Sequence, residues 1–189
     1  MSEDERATTG RQHGGDIDPE RQLAALREIR TVGDPVLREQ AKPVVAFDRA
    51  LKDLSRRMIR IMHDAPGIGL AAPQIGVTRR VIVYDLERPV TLVNPEICSE
   101  SAETEVMDEG CLSVPEAAVA VERPARIRVR ARDLRGHELE YDAEDLEARV
   151  IQHELDHLNG ILILERTSRD ERARALRGLR RQEPAGTAF

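Results

Sequence analysis

Asp142-Ala-Glu-Asp-Leu-Glu-Ala-Arg-Val-Ile-Gln-His-Glu-Leu-Asp-His-Leu-Asn-Gly160 is the stretch on which the reading of this chain turns. Asp142 fits an N-cap, acids fill the first turn and Gly160 stands at the stop position, so the stretch predicts a helix running to about Asn159. Leu146 and Val150 lie on one stripe of that helix, and His153 and His157 continue it, so the histidines point into the body of the protein. Histidines at i and i+4 stand about 40° apart around a helix, close enough for both imidazoles to meet one metal ion. Glu154 then stands beside the open coordination position, where it can take a proton from a metal-bound water and return it to a leaving amine. A charged helix can carry His-Glu-x-x-His by accident, but two buried histidines with neither metal nor partner would be costly.

A metal site of this kind needs a third ligand. Cys111 lies in Glu109-Gly-Cys-Leu-Ser113, a tight segment whose glycine lets the backbone approach closely and a loop present the thiol. A free cysteine is most often a small buried hydrophobe, and Cys98 is read that way, as structural. With a paired-histidine helix in the same chain, Cys111, His153 and His157 become a ligand set that leaves a fourth position for water. A soft thiolate with two imidazoles suits Zn(II) and Fe(II) alike.

Outward from these motifs, Asp48 reads as the N-cap of a helix ending near Pro66, because Leu51, Leu54, Met58, Ile61, Met62 and Ala65 fall three and four apart. Gly67-Ile-Gly-Leu-Ala-Ala-Pro-Gln74-Ile-Gly76 is apolar but punctuated by Gly and Pro, and predicts a buried loop. Strands are expected at Arg80 to Leu86, Val90 to Val93 and around Glu103 to Met107. In Arg126 to Arg132 strict alternation puts Ile127, Val129 and Ala131 on one face and four arginines on the other, a half-solvated strand returning through Asp133 to Gly136 into His137 to Tyr141. Such an arginine face can bind a polyanion, but charge runs ordinarily face water. Residues 171 to 181 hold five arginines and one acid, and predict a basic amphipathic helix with Leu176 and Leu179. Helix, strands, helix in that order gives an α+β fold, with antiparallel sheets around the central His-Glu-x-x-His helix, a helix in the N-terminal half and a C-terminal helix.

Composition bounds what this fold can do. The 189 residues make one core large enough to stand without disulfides, and two cysteines give no disulfide framework, so a reducing, cytoplasmic setting is expected. No tryptophan, two tyrosines and two phenylalanines leave no stacking platform for single-stranded nucleic acid. The net charge of −6 is also unlike a nucleic-acid coat, and no apolar run reaches the roughly 18 residues needed to span a bilayer. Residues 1 to 20 hold six acids and two arginines, a net −4, which leaves −2 for the remainder. The chain divides into a disordered acidic tail at 1–22, one catalytic domain at 23–168, and a basic C-terminal helix and tail at 169–189.

Three segments together resemble the peptide deformylase family: Gly67 to Gln74 as Gly-apolar-Gly-apolar-Ala-Ala-x-Gln, Glu109 to Ser113 as Glu-Gly-Cys-apolar-Ser, and His153 to His157 as His-Glu-x-x-His. The resemblance runs from about Ile29, through Gly33-Asp-Pro-Val-Leu-Arg38, to roughly Thr167. It implies a hydrolase that removes the formyl group from N-formylmethionyl nascent peptides, with one divalent metal ion held by Cys111, His153 and His157. Fe(II) is the metal it implies, with Zn(II), Ni(II) or Co(II) as substitutes. Glu154 would shuttle the proton, and the Gln74 side chain and Leu112 N–H would donate to the oxygen that becomes negative. Ile68, Gly69, Gly110 and Leu112 would flank the extended peptide, and Leu146 and Val150 would receive the methionine side chain. In one departure Ala118 stands where many members carry an arginine, which bears on peptide preference downstream of methionine.

Two other readings remain open at this stage. A His-Glu-x-x-His endopeptidase would need a downstream third ligand, for which only Glu165 is available. A non-catalytic, metal-stabilised module that touches the ribosome through residues 171 to 181 would have no use for both Glu154 and Gln74. Ribosome contact by that segment is also compatible with catalysis.

Overall fold

The computed structural model describes residues 18–182. It has four α-helices, α1 (Pro19–Glu28), α2 (Arg49–Asp64), α3 (Asp145–Leu158) and α4 (Arg169–Gln182). Its strands are β1 (Gly69–Ala71), β2 (Val81–Asp85), β3 (Pro89–Glu100), β4 (Thr104–Cys111), β5 (Val114–Pro124), β6 (Arg126–Arg132) and β7 (Glu138–Glu144). Five of them form an antiparallel sheet in the order β1-β2-β3-β6-β7, and β4 pairs with β5 in a separate antiparallel hairpin. The expected α+β architecture is therefore present.

The centre of the sheet is covered on both faces. In β2, Val81 and Val83 pack with α2 residues Leu51, Met58, Ile61 and Met62. The alternate residues Ile82 and Tyr84 pack with Ala148, Val150, Ile151 and Leu155 of α3. Two-sided burial is why Val81 to Tyr84 is an unbroken apolar run, whereas β6 alternates strictly between buried Ile127, Val129 and Ala131 and exposed arginines. Those four arginines pair with acids: Arg126 with Glu103, Arg128 with Glu140 and Asp142, Arg130 with Glu96 and Arg132 with Glu138. The solvated-face reading holds. A third apolar cluster joins β5 residues Val114, Val119 and Val121 to Leu162, Ile163 and Leu164, with Ala175, Leu176 and Leu179 of α4 against it.

The helix starts show what local signals decide. Asp48 caps α2 as expected, its carboxylate accepting the Leu51 N–H at 3.0 Å. Asp142 does not cap α3. It lies in β7 opposite Arg128, and the strand runs straight into a helix that begins at Asp145, with Glu144 before it making no side-chain cap. Pairing along the sheet edge has claimed the residue that the local pattern offers as a cap. At the other end α3 stops at Leu158, and Gly160 just beyond it has φ +73°, where a Cβ would stand 2.5 Å from the Arg38 carbonyl oxygen.

Three further expectations need correction. The Gly67–Gly76 segment is buried as expected from Leu70 to Ile75, but it contains β1 and a 3₁₀ turn over Ala72–Ile75. Cys98 is exposed on β3 rather than packed inside. Of the acidic tail expected at residues 1–22, residues 19–22 instead open α1, with the Asp18 carboxylate accepting the Glu20 N–H at 3.0 Å and Pro19 leading the first turn. Residues 1–17 of that reading, and 183–189 of the C-terminal tail, lie outside the described residues.

Candidate metal centre and active-site groove

α3 presents His153, Glu154 and His157 from within the protein, and all but its exposed first turn and partly accessible His153 is buried. Cys111 ends β4, where the register with β5 slips between Gly110 and Cys111 and the chain turns through Leu112 and Ser113. The slip carries Sγ to 3.2 Å from His157 Nε2. One donor atom from each of Cys111, His153 and His157 lies within 4.8 Å of the others. That spacing, with one thiol and two imidazoles, fits a single transition-metal ion.

The surroundings fit a cation as well. Burial, with the positive charge of His153 and Arg123 nearby, holds the His157 imidazole well below its ordinary value and keeps its lone pair free of a proton. Burial opposes charge on His153 too, but hydrogen bonds with Cys111 and Glu109 raise it well above its ordinary value, so the position faces negative charge. Among the described residues, the buried atoms Glu154 Oε2 and His157 Nδ1 have no hydrogen-bond partner. Burial pushes the Glu154 carboxyl up to about 7, a group poised to hold and release a proton.

Behind the donors sits a set of charges that the sequence reading did not include. Glu109 Oε2 lies 3.0 Å from His153 Nδ1, which turns the other ring nitrogen of His153 to the thiolate side. Glu109 also accepts from Arg123 at 2.7 and 2.9 Å and from Arg149 at 2.8 Å. Burial would raise its carboxyl, but the Arg123 and His153 hydrogen bonds prevail and hold it down at about 2. Arg123 spends its remaining arm on Asp156 at 2.9 Å, and Arg166 binds the same carboxylate. Arg149 adds hydrogen bonds to the Val121 and Glu105 carbonyls, tying α3 to both strands of the hairpin. Glu109 and Asp156 stand inside the motifs, but nothing in their spacing names Arg123 or Arg149 as their partners.

Gln74 is fully enclosed beside the donors. Its Oε1 accepts the Ala71 N–H at 2.7 Å, which leaves Nε2 to donate to Ser113 Oγ at 3.2 Å and to approach Cys111 Sγ at 3.8 Å. The amide thus aims N–H groups at the thiolate side of the site. Gly69 lets β1 lie close to α3, since a Cβ there would stand 2.4 Å from Glu154 Oε1 and 3.0 Å from Val150 Cγ1 and would push the carboxylate aside.

A groove of about 700 Å³ opens over this centre. Ile68, Gly69, Gly110, Leu112, Leu146 and Val150 all line it, together with Gln74, Cys111, His153 and Glu154, while His157 lies beneath. Val150 is buried in its wall, whereas Leu146 is 44% exposed at the mouth, so the expected stripe runs from solvent down to the donors. Ala118 lines the groove too, as do Leu26 of α1 and Met107 of β4, which sequence reading did not single out.

A Cys-His-His donor set beside a buried glutamate, carried on a helix and a strand end, defines a mononuclear metallohydrolase. The comparisons with known proteins then specify which kind. Residues 26–173 match the family described as polypeptide deformylase, and the chain belongs to that family. Peptide deformylase of Thermotoga neapolitana is 51% identical over 142 residues, 75% of this chain and 87% of that protein. Peptide deformylase of Rhodopseudomonas palustris is 46% identical over 173 residues, 87% of this chain and 96% of that one. Among solved structures, Thermotoga maritima peptide deformylase matches with a TM-score of 0.73 at 52% identity, covering 74% of this chain and 96% of its own. A Synechococcus elongatus peptide deformylase in complex with actinonin matches with a TM-score of 0.78 at 42% identity, covering 80% and 86%.

Arg123 faces two buried carboxylates at once, so Arg123→Met removes a buried counter-charge from each of them. Urea unfolding is expected to give a loss of about 3–5 kcal/mol. A loss below about 1 kcal/mol would mean that the network does not hold the hairpin to α3.

Proposed function

We infer that this chain removes the formyl group from N-formylmethionyl nascent peptides, releasing formate, with one divalent cation held by Cys111, His153 and His157. Membership of the polypeptide deformylase family makes it a metal-dependent hydrolase acting on a formamide. The observation that carries the residue roles is convergence: the three segments quoted from the sequence, far apart in the chain, line one groove around one cluster of metal-ligating atoms. When bound, the cation supplies a Lewis acid that polarises the formyl oxygen and makes water acidic.

The residues divide the remaining work. Glu154, enclosed and with one oxygen unpartnered, accepts the proton of the attacking water and returns it to the departing amine. Gln74 Nε2, held by its own amide oxygen on Ala71, donates with the Leu112 N–H to the formyl oxygen as charge grows there. Gln74 needs no reorganisation for this, because both ends of its amide are already fixed. Ile68, Gly69, Gly110 and Leu112 flank the extended peptide, with the short edge strand β1 offering backbone groups along one side. Val150 and Leu146 take the methionine side chain, one at the floor and one at the mouth. Metal activation at a reduced thiolate also favours a cytoplasmic setting; no helix among the described residues is long and apolar enough to cross a membrane.

The endopeptidase reading loses its ligand, because Glu165 is engaged with Arg38 at 2.7 and 3.1 Å and with the Leu162 N–H. Transient ribosome contact through residues 171 to 181 is a secondary proposal. The Leu176 and Leu179 face of α4 packs on the core, which turns Arg172, Arg174 and Arg177 outward.

Replacement of Glu154 by Ala is expected to leave one metal per chain while formate release from formyl-Met-Ala-Ser falls by about 10²–10⁴-fold. Cleavage of an internal peptide bond by the unaltered enzyme, with no formate released, would overturn the reading. Fe(II) is the proposed metal, so anaerobic purification should yield iron with the highest formate release per bound ion. Equal turnover with Zn(II), Ni(II) and Co(II) would remove iron's place. If α4 touches the ribosome, truncation at Arg169 lowers co-sedimentation with ribosomes, and unchanged co-sedimentation dismisses the contact.

A further inference from the structure

α1 is a built part of the groove rather than a leader to it. Ala25 is fully buried and Ile29 nearly so, both in the cluster formed by α2 and β2. Glu28 accepts from Arg57 at 2.9 Å and Arg60 at 2.7 Å, and Arg21 pairs with Asp64 at 3.0 Å. These half-exposed pairs add little stability, but they set the direction in which the helix lies along α2. Seven of the ten residues of α1 precede residue 26, where the family match begins.

The leucines of this helix do not share the burial of Ala25. Leu23 and Leu26, three residues apart and so on one helix face, are 52% and 41% exposed. An exposed leucine is ordinarily unremarked. Leu26 differs because it lines the catalytic groove together with Pro66, Gly67 and Ile68. Seven large apolar side chains are exposed among the described residues, and four of them, Leu26, Ile68, Met107 and Leu146, line this one groove. Its volume of about 700 Å³ suits a ligand of several residues rather than a single side chain. With Val150 and Leu146 assigned to the methionine, Leu26 is an apolar wall without an assigned occupant.

We propose that Leu26 is a specificity-determining residue which receives an apolar side chain of the formylated peptide, downstream of its methionine. α1 then makes this enzyme favour apolar over polar residues at that position. The proposal rests on the deformylase reading of the groove. Leucine and asparagine are the proper pair for its test, being alike in size and uncharged, so that Asp108 and Glu116 at the groove do not bias the comparison.

The metal-loaded full chain is assayed for formate release from formyl-Met-Leu-Ser, formyl-Met-Asn-Ser, formyl-Met-Ala-Leu and formyl-Met-Ala-Asn. The unaltered protein should prefer Leu to Asn in kcat/KM at one of the two positions. Leu26→Ala and Leu26→Gln, both compatible with a helix, should reduce that preference by about three- to tenfold, with the ratio at the other position unchanged. Leu:Asn ratios that are the same in all three proteins, or no preference in the unaltered one, would overturn the role of Leu26 while leaving deformylation intact. Absence of formate from all four peptides and from formyl-Met-Ala-Ser would instead overturn the reading on which it rests.

Discussion

The Glu109 carboxylate, buried and shared by Arg123, Arg149 and His153, is the constraint on which the rest of this structure depends. A charge in that position is tolerable only if its partners are all present and well placed, because an unpaired carboxylate in the interior costs several kcal/mol. The partners come from β5 and from two turns of α3, so satisfying one side chain fixes the hairpin against the helix. Cys111 follows Glu109 by two residues on the same strand, and His157 follows His153 by one turn. Meeting the demand of Glu109 therefore also brings the thiol to the imidazole. The metal ligands need no separate device to find each other.

Arginine is the residue suited to this interior. Its planar fork donates to both oxygens of Glu109 from Arg123 and still reaches Asp156, which a lysine ammonium has no geometry to do. On the outer face of β6 the same residue type does something much weaker. There each arginine meets an acid near solvent, where such pairs are worth little individually and chiefly leave the surface without a basic footprint. Burial, not residue identity, separates the two uses.

The same distinction explains what was legible in the sequence. α2 and β6 each bury one face of apolar residues, so their periods of 3.6 and 2 announce them. β5 was not recognisable because its buried face reads Val119, Val121, Arg123, and an inward arginine breaks the alternation that marks a strand. The residue that hid the strand is the one that holds Glu109. In α1 the signal is inverted: Ala25 is the buried anchor while Leu23 and Leu26 stand out in solvent, so hydrophobicity points to the wrong face. The donors themselves were legible, since i and i+4 histidines with a glutamate between them have few other uses in a buried helix. Their support was not, because a partner 14 or 40 residues away in sequence leaves no local trace.

A division of labour within the groove follows from these placements. Its chemical end consists of groups held by several hydrogen bonds each on a helix and a strand terminus, where a small displacement would misalign donor and proton acceptor. Its rim consists of apolar side chains, Leu26, Ile68, Met107 and Leu146, that are two-fifths or more exposed and come from four different segments. Substituting one of these loses some contact area but creates neither a cavity nor an unpaired charge, so it should cost stability little. The apolar rim can therefore vary without loosening the hydrogen-bonded centre.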